Sequence, residues 1–257
     1  MTALTDAGGE RTTLYCLGHA GGGVAGYRRW PSLVGPDVDV VPLLLPGRDG
    51  RRREPRVTDR AALLADLMPI LAERAGTGPY AVYGHSMGAL VAYTLTRALT
   101  DTGAPPPLFL AVGACLPPHV ATALVSAADL PDEHLLPILD RLGSLPAGEM
   151  ARPGGLWHRA VLPVLRDDLR LAGSLRQAAL DSVTGGQVDT PVLVFAGRDD
   201  PLAVPALLEE WRGWATGRVE ARTVDGDHFF VGTPELPRLV GQACRDRAAA
   251  LAPGGRR

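Results

Sequence analysis

The stretch Gly84-His85-Ser86-Met87-Gly88 decides how this chain of 257 residues is interpreted. It matches the G-x-S-x-G pattern of a nucleophile elbow, in which a serine occupies a sharp turn between a strand and a helix. Residues 79–83 form a short apolar run before it, and residues 89–95 are apolar at helical spacing after it. The helix N-terminus behind the serine supplies N–H groups that stabilise an oxyanion. The pattern predicts that Ser86 is a catalytic nucleophile; the alternative is a glycine-rich turn with an incidental serine.

Composition and charge restrict the class of protein. With 46% hydrophobic residues the chain can bury one large core, and no polar linker divides it into two domains. A net charge of −2 does not favour nucleic acid or an anionic membrane as a partner. No apolar run approaches the roughly 20 residues that span a bilayer, and the first residues contain no apolar signal core. We therefore expect a cytoplasmic protein whose three cysteines are free thiols, with a disordered tail at residues 253–257.

Apolar runs of strand length alternate with helical segments along the chain. Thr58 is the expected N-cap of the second helix. Uninterrupted apolar strands with helices between them indicate an α/β fold with a mostly parallel central sheet flanked by helices. Strands are predicted near residues 14–17, 38–45, 79–83, 108–113, 191–196 and 219–224, and helices near residues 25–33, 58–74, 89–95, 204–214 and 234–251.

One long segment, residues 115–188, interrupts this alternation. It contains no obvious strand, but residues 132–142 and 156–180 have helical spacing. A connection this long with helices of its own is typical of a functional lid. Such a lid would cover the carboxyl edge of the sheet, where α/β folds bind ligands. The alternative is a pair of packing helices with no gating role.

A serine nucleophile needs a base and an acid, and in this type of fold they follow it in the order acid, then histidine. Of the six histidines, only His228 lies beyond the last predicted strand. Asp199 and Asp200 both follow the preceding strand and both qualify by position. Asp227 is less suitable, because neighbouring side chains in extended backbone point to opposite sides. We expect His228 to take the proton of Ser86 and the aspartate to stabilise the imidazolium.

The oxyanion formed during acyl transfer requires two backbone donors. One is expected to be the N–H of Met87, directly after the nucleophile. The other is expected from the glycine-rich loop after the first strand, at or near Ala20. A phosphate-binding role for this loop is disfavoured, because it contains neither G-x-G-x-x-G nor G-K-[ST].

Several motifs occur in a family-specific order over roughly residues 13–247. They are His19-Ala20-Gly21-Gly22, Leu45-Pro46-Gly47-Arg48, Gly84-His85-Ser86-Met87-Gly88-Ala89, Leu162-Pro163-Val164-Leu165-Arg166-Asp167-Asp168, Gly197-Arg198-Asp199-Asp200-Pro201 and Gly226-Asp227-His228-Phe229-Phe230. With this set the chain resembles the type II thioesterases of polyketide and nonribosomal peptide synthesis, which have the α/β-hydrolase fold. In that family the acid precedes the proline, which selects Asp200 over Asp199. Two positions depart from the usual pattern: Asp227 replaces a second glycine, and His19 stands where an aromatic residue or proline is common.

The resemblance implies a single α/β-hydrolase domain over residues 1–257, with the lid inserted at about 115–188. It implies an editing thioesterase that removes acyl groups from the phosphopantetheine arm of acyl or peptidyl carrier proteins. The acyl-enzyme would form on Ser86 with His228 and Asp200 as partners, Ala20 and Met87 would form the oxyanion hole, and no metal or organic cofactor would be needed. We expect a monomer.

The substrate and partner surfaces follow from the same resemblance. The acyl chain would lie under the lid, near Met87, Leu116, Leu135 and Leu139. The basic run 48–53 is a candidate docking site for an acidic carrier protein, and a solvated loop is the alternative. The competing functions are a carboxylesterase or an acyltransferase on the same fold, and a non-catalytic carrier-binding scaffold; the motifs argue against the first, and the intact set Ser86, Asp200 and His228 argues against the last.

Overall fold

The central element is one six-stranded sheet. The computed structural model describes residues 10–120, 122, 124–143, 154–182 and 186–251, so the tail predicted at 253–257 lies outside the described residues. The strand order is β2-β1-β3-β4-β5-β6, and all five neighbouring pairs are parallel, which confirms the predicted parallel sheet. The strands are β1 (Thr12–Leu17), β2 (Val38–Pro42), β3 (Tyr80–His85), β4 (Leu110–Gly113), β5 (Val192–Gly197) and β6 (Val219–Val224).

Within the described residues, six α-helices flank this sheet or lie in the segment between β4 and β5. Residues 25–33, predicted as one helix, instead form two 3₁₀ turns, because Pro31 has no N–H with which to continue a helical ladder. The segment Pro205–Trp214 is also a 3₁₀ helix. The α-helices are α1 (Arg60–Ala75), α2 (Met87–Thr102), α3 (Asp132–Arg141), α4 (Leu156–Ala160), α5 (Leu162–Leu180) and α6 (Glu235–Leu251).

The N-cap of α1 is Asp59 rather than Thr58, so that prediction was wrong by one residue. The Asp59 carboxylate accepts a hydrogen bond from the N–H of Ala62 at 2.9 Å. A carboxylate at this position both satisfies a free helical N–H and interacts favourably with the helix dipole.

Both faces of the sheet are buried, which explains the uninterrupted apolar strands. Along β1, Leu14 and Cys16 pack in the apolar cluster that includes α6, whereas Tyr15 and Leu17 pack in the cluster that includes α1 and α2. This alternation follows from the two-residue period of a strand. Cys16, like the other two cysteines, is a free thiol, as expected.

The strand order creates a crevice at the carboxyl edge of the sheet. From β1 the chain moves to one side to form β2 and then returns to form β3 on the other side of β1. Ligands of parallel α/β sheets bind at such a switch point, outside the carboxyl ends of the strands. The loop after β1, residues 18–23, and the elbow after β3 lie side by side there.

The segment between β4 and β5 contributes three helices, α3 to α5, and no strand within its described residues. Its apolar side chains divide into two groups. Leu135, Leu165 and Leu169 belong to a separate cluster of this segment, whereas Leu171 and Leu175 of α5 join the main core. Helix α5 therefore connects the inserted segment to the body of the protein.

Candidate active site

Ser86 occupies a turn that few non-glycine residues adopt. Its φ is +56° and its ψ is −119°, between the end of β3 and the start of α2. Its N–H donates to the carbonyl oxygen of Gly113, at the end of β4, at 2.7 Å. Such a conformation persists only where its surroundings enforce it, and it is frequent at active sites.

The two glycines of the elbow are required by close backbone contacts. A Cβ on Gly84 would lie 2.0 Å from the carbonyl oxygen of Gly88, and a Cβ on Gly88 would lie 2.3 Å from that of Leu17. Helix α2 therefore packs directly against β3 and the end of β1. This approach brings Ser86 next to the 18–23 loop.

The structure brings Ser86, His228 and Asp200 together. The Nε2 atom of His228 lies 3.0 Å from the Ser86 hydroxyl, and its Nδ1 atom lies 2.9 and 3.0 Å from the two carboxylate oxygens of Asp200. His228 and Asp200 are buried. Asp199 is exposed, and so is Asp227, whose carboxylate accepts the N–H of Phe229.

Asp200 is held in the ionised form. Burial raises the pKa of Asp200, but the hydrogen bond and charge of His228, together with the N–H groups of Ala203 and Leu202, outweigh it and lower the pKa below the ordinary value. Those two N–H groups donate to Oδ1 at 3.1 and 2.8 Å. The carboxylate therefore keeps a proton on Nδ1 of His228 and leaves Nε2 free to accept the serine proton.

His85, which the sequence patterns did not single out, fixes the backbone at His228. Its Nε2 atom lies 2.7 Å from the His228 carbonyl oxygen and must donate, so Nδ1 accepts from the Tyr83 hydroxyl at 2.7 Å. Complete burial lowers the pKa of His85 well below its usual value, so the ring is neutral. The place of His85 directly before the nucleophile was a visible signal, but its partner lies 143 residues away.

The two residues predicted to donate to the oxyanion both line a cavity that opens at Ser86. Ala20 also lines the second cavity there. Met87 is the first residue of α2, where N–H groups have no intrahelical acceptor. The oxyanion-hole role of their N–H groups stays a prediction.

A second buried acid holds the 18–23 loop in place. Asp168 of α5 accepts the N–H of Gly21 at 2.7 Å and the Nη1 of Arg48 at 2.8 Å, and Arg48 also bonds the carbonyl oxygen of Gly22. Asp168 is fully buried, and burial raises its pKa despite the opposing effect of Arg48. This contact joins three of the family motifs, which the sequence could list but not bring into contact.

Two cavities meet at Ser86 and His228. The first, called here the apolar cavity, has about 570 Å³ of empty volume and extends along α2 and α5 past Met87, Leu116 and Leu169. The second, called the aromatic cavity, has about 710 Å³ and is bordered by His19, Trp157 and Phe229, among others. Ser86 thus lies between two cavities with different linings. This arrangement suits the cleavage of one substrate bond, with one part of the substrate in each cavity.

The residues expected around an acyl chain are divided between these spaces. Met87 and Leu116 line the apolar cavity and Leu139 lines the aromatic cavity. Leu135 lines neither, because it is fully buried in the cluster of the inserted segment.

Two arginines of the basic run 48–53 are already bound to acidic side chains, so they are less available to dock a carrier protein than the sequence indicates. Arg48 is bound to Asp168, and Arg51 forms ion pairs with Glu54 and Asp66. Arg52 and Arg53 are exposed.

His19 borders the nucleophile on the aromatic side. Its ring packs edge-on against Phe229, with centroids 5.2 Å apart, and against His85. Burial, together with the nearby charges of His228 and Arg48, lowers the pKa of His19 to about 4. At neutral pH it therefore presents a neutral ring to the aromatic cavity.

The described residues contain neither a cluster of metal ligands nor a helix that could span a membrane. Within them, no three His, Cys, Asp or Glu side chains are grouped so as to hold a metal ion. No helix in those ranges is both long and apolar enough to cross a bilayer.

A family model described as a thioesterase domain matches residues 12–244. The chain belongs to the thioesterase family. A probable cadicidin biosynthesis thioesterase from Streptomyces griseus is 32% identical to this thioesterase over 250 residues, which are 95% of this chain and 65% of the relative. This thioesterase therefore spans about two thirds of that relative's length.

Solved structures of thioesterases are similar to it in fold. RedJ, a thioesterase from the prodiginine biosynthetic pathway in Streptomyces coelicolor, is 33% identical with a TM-score of 0.78, over 91% of this chain and 86% of that one. YbtT, a type II thioesterase from the yersiniabactin NRPS/PKS pathway, is 26% identical with a TM-score of 0.78, over 95% and 96%. The resemblance to type II thioesterases and the α/β-hydrolase fold are thus confirmed.

Proposed function

We propose that this thioesterase hydrolyses acyl groups from the phosphopantetheine arm of acyl or peptidyl carrier proteins in polyketide or nonribosomal peptide synthesis. It would act in the cytoplasm as a monomer, and its reaction would need no metal ion or organic cofactor. The observation that carries the proposal is the contact of Ser86, His228 and Asp200 where two cavities meet. The pathways named for the similar proteins support the choice of substrate.

In the first half of the proposed reaction, His228 removes the proton of Ser86 through Nε2, and the serine oxygen attacks the thioester carbonyl. The negative charge that develops on that carbonyl oxygen is stabilised by the N–H groups of Ala20 and Met87. The C–S bond then breaks, the protonated His228 returns its proton to the leaving thiolate, and an acyl-enzyme remains on Ser86.

In the second half, water replaces the thiol. His228 takes a proton from that water, and the resulting hydroxide attacks the ester carbonyl of the acyl-enzyme. The same oxyanion donors act again, the Ser86 oxygen leaves with the proton from His228, and a free carboxylic acid is released. Asp200 stays ionised and stabilises the imidazolium in both halves.

The two cavities fit the two parts of such a substrate. The apolar cavity suits the acyl chain, since its lining is almost entirely aliphatic beyond Ser86 and His228. The aromatic cavity suits the phosphopantetheine arm, because His19, Trp157 and Phe229 offer both apolar faces and ring nitrogens.

We further propose that the chain is one α/β-hydrolase domain in which residues 115–188 form a lid. The separate apolar cluster around Leu135 and Leu165 supports a cover that moves against the main core. Hydrogen exchange should be faster in α3 and α4 than in the sheet, and an acyl-mimicking inhibitor on Ser86 should slow it. Exchange as slow as in the sheet without inhibitor would contradict a lid.

The direct test is incubation with a panel of carrier proteins bearing different acyl groups, followed by intact mass measurement. Loss of the acyl mass from the carrier is expected, with a higher kcat/KM than for the same acyl groups on a small thiol. The reason is that binding of the carrier and its arm contributes to stabilising the transition state. Equal values for both substrates would favour a hydrolase of free acyl thioesters.

The variant Ser86→Ala identifies the nucleophile in this assay. Turnover should fall by about 10⁶, as in proteases that lose their serine, while the thermal unfolding midpoint should be unchanged. A turnover near that of the unmodified protein would end the serine-hydrolase mechanism.

Within the basic run, Arg52 and Arg53 are the proposed docking residues for a carrier protein, because Arg48 and Arg51 are paired within the protein. Reversing both to glutamate should raise KM for carrier-bound substrate and weaken its salt dependence, because exposed charges act mainly on encounter. Arg51→Glu is unsuitable for this purpose, since it also breaks the ion pairs with Glu54 and Asp66. An unchanged KM would place docking on another surface.

A further inference from the structure

One charged side chain lines the apolar cavity away from the nucleophile. Besides Ser86 and His228, the described lining residues are aliphatic or small, with Thr122 and Arg176 as exceptions. Arg176 lies on α5 and is only partly accessible to solvent. A basic side chain is unusual in the lining of a cavity that otherwise suits hydrocarbon, so Arg176 needs a polar partner, either from the protein or from a ligand.

The protein itself provides none within the described residues. The Nε atom of Arg176 is shielded from solvent and has no hydrogen-bond partner there. Other arginines of α5 are paired: Arg166 bonds Asp132, and Arg170 bonds Asp129 and Asp167. A partly buried cation without a counter-charge lowers the stability of the folded protein. The presence of Arg176 is therefore explained if a bound ligand supplies the counter-charge.

The course of α5 places Arg176 further along the apolar cavity than the helix residues next to the 18–23 loop. Leu169, Ala172 and Arg176 follow one another at helical spacing and line the same cavity. Asp168 anchors the helix at the 18–23 loop, beside the predicted oxyanion hole. Arg176 is eight residues further, about 12 Å along the helix axis at 1.5 Å per residue. A chain attached to Ser86 would therefore meet the guanidinium with its far end.

We propose that Arg176 makes this thioesterase selective for acyl groups that end in a carboxylate, that is, for monothioesters of dicarboxylic acids. The inference deepens the proposed function and rests on it. A carboxylate accepts two parallel hydrogen bonds from a guanidinium, and a site built for that contact discriminates against an acyl chain that ends in a methyl group.

The test uses thioesters of N-acetylcysteamine, which carry no phosphate and bind no carrier surface. Dicarboxylic monothioesters of increasing length are compared with methyl-terminated thioesters of the same length. At the length that reaches Arg176, the ratio of kcat/KM for the carboxylate-ended over the methyl-ended chain should fall at least tenfold in Arg176→Met. Arg176→Lys, which keeps the charge but not the fork, should give an intermediate ratio.

Arg170→Met is the matched control on the same helix. Its guanidinium is about half exposed and paired outside the cavity, so the ratio should equal that of the unmodified protein. A ratio unaffected by Arg176→Met at every length would overturn the proposal. A loss seen only with phosphopantetheine-bound substrates, whatever the acyl end, would also overturn it and indicate a phosphate contact.

A second measurement separates this proposal from the proposed function. Arg176→Met should raise the thermal unfolding midpoint, because it removes an unpaired, partly buried charge. Free dicarboxylates of the length that the thioester series selects should stabilise the unmodified protein but not the variant. Dicarboxylate binding without thioester hydrolysis would support the Arg176 site and contradict the thioesterase function. Hydrolysis of methyl-ended thioesters without any dicarboxylate effect would do the reverse.

Discussion

Two buried aspartates lie near the catalytic residues, and each accepts backbone N–H groups and pairs with one basic side chain. Asp200 accepts N–H groups of its own loop and pairs with His228; Asp168 accepts the N–H of Gly21 and pairs with Arg48. The difference is the partner. Histidine can give up and regain a proton near neutral pH, whereas the guanidinium of arginine keeps its charge.

Because of this difference, the Asp200–His228 pair can take part in proton transfer, whereas the Asp168–Arg48 pair can only hold the backbone in place. The pKa of Asp200 is lowered by its donors and by His228, which suits a carboxylate beside a base that cycles between charge states. The pKa of Asp168 is raised by burial, and its contact with Arg48 and Gly21 fixes the 18–23 loop relative to α5. One pair would serve the chemistry and the other the position of Ala20, the residue proposed to donate to the oxyanion.

The largest expected effect comes from breaking the first pair. Asp200→Asn should lower kcat by roughly 10⁴, because the amide no longer favours the tautomer of His228 that accepts the serine proton. Asp199→Asn, one residue away and exposed, should be nearly neutral. Steady-state kinetics on one thioester compare the two, and a reversed outcome would assign the acid to Asp199.

Breaking the second pair should have a smaller effect on rate and a larger one on the fold. Asp168→Asn leaves Arg48 without a counter-charge and puts an amide in place of the carboxylate that accepts from Gly21 and Arg48. These losses should outweigh the relief of removing a buried carboxylate, so stability should fall. Displacement of the 18–23 loop should reduce kcat by roughly 10²-fold, the lower limit for loss of one oxyanion-hole donor. Urea unfolding and single-turnover kinetics measure the two. An unchanged kcat would mean that Asp168 supports the fold only.

A double variant sharpens this distinction. In Arg48→Met/Asp168→Leu no charge remains buried, so stability should return towards that of the unmodified protein. The rate should not recover, because leucine cannot accept the N–H of Gly21. Recovery of both quantities would show that the pair has no positioning role.

The smallest expected effect is on pH dependence, and its sign differs between the two acids. A folded-state pKa below the unfolded value, as for Asp200, gives stability that is present at higher pH and lost as pH falls through the folded pKa. A raised folded-state pKa, as for Asp168, makes the folded state bind the proton more readily, so its contribution rises as pH falls. Below roughly pH 4, the ordinary Asp pKa, Asp200→Asn should flatten the acid loss of stability, and just above that pH Asp168→Asn should steepen it. Equal slopes would contradict the assigned shifts.

Local patterns were sufficient to predict most of the framework. The strands were recognisable from their apolar runs, and β6 was predicted with its observed bounds, Val219–Val224. The elbow could be read from five residues because Gly84 is required by a backbone contact within the strand–turn–helix unit, although Gly88 is required by the end of the neighbouring β1. The errors were also local: Pro31 divides a predicted helix, and Asp59 caps α1 in place of Thr58.

The site was only partly predictable, because its contacts join distant parts of the chain. Position alone left Asp199 and Asp200 equivalent; the structure gives a reason for the choice, since only Asp200 is turned inward to the N–H groups of its own loop. The contact between Asp168 and Arg48 spans 120 residues, and no period or spacing connects them. No pattern in the sequence distinguishes Arg176 from the other arginines of α5; its place in the lining of the apolar cavity does.

The hydrogen bond from Gly21 to Asp168 also bears on how such enzymes diversify and how they can be engineered. An inserted segment between β4 and β5 looks like an exchangeable cassette that could be grafted from one relative to another to change the accepted acyl group. Here the cassette supplies a support for an earlier loop, since Asp168 lies 147 residues after the Gly21 that it binds. A chimera would inherit a working reaction centre only if the donor segment carries an aspartate at this place and the recipient retains Arg48. In this molecule the segment that would determine the accepted acyl group also supports the loop next to the nucleophile. The two properties therefore cannot be exchanged independently.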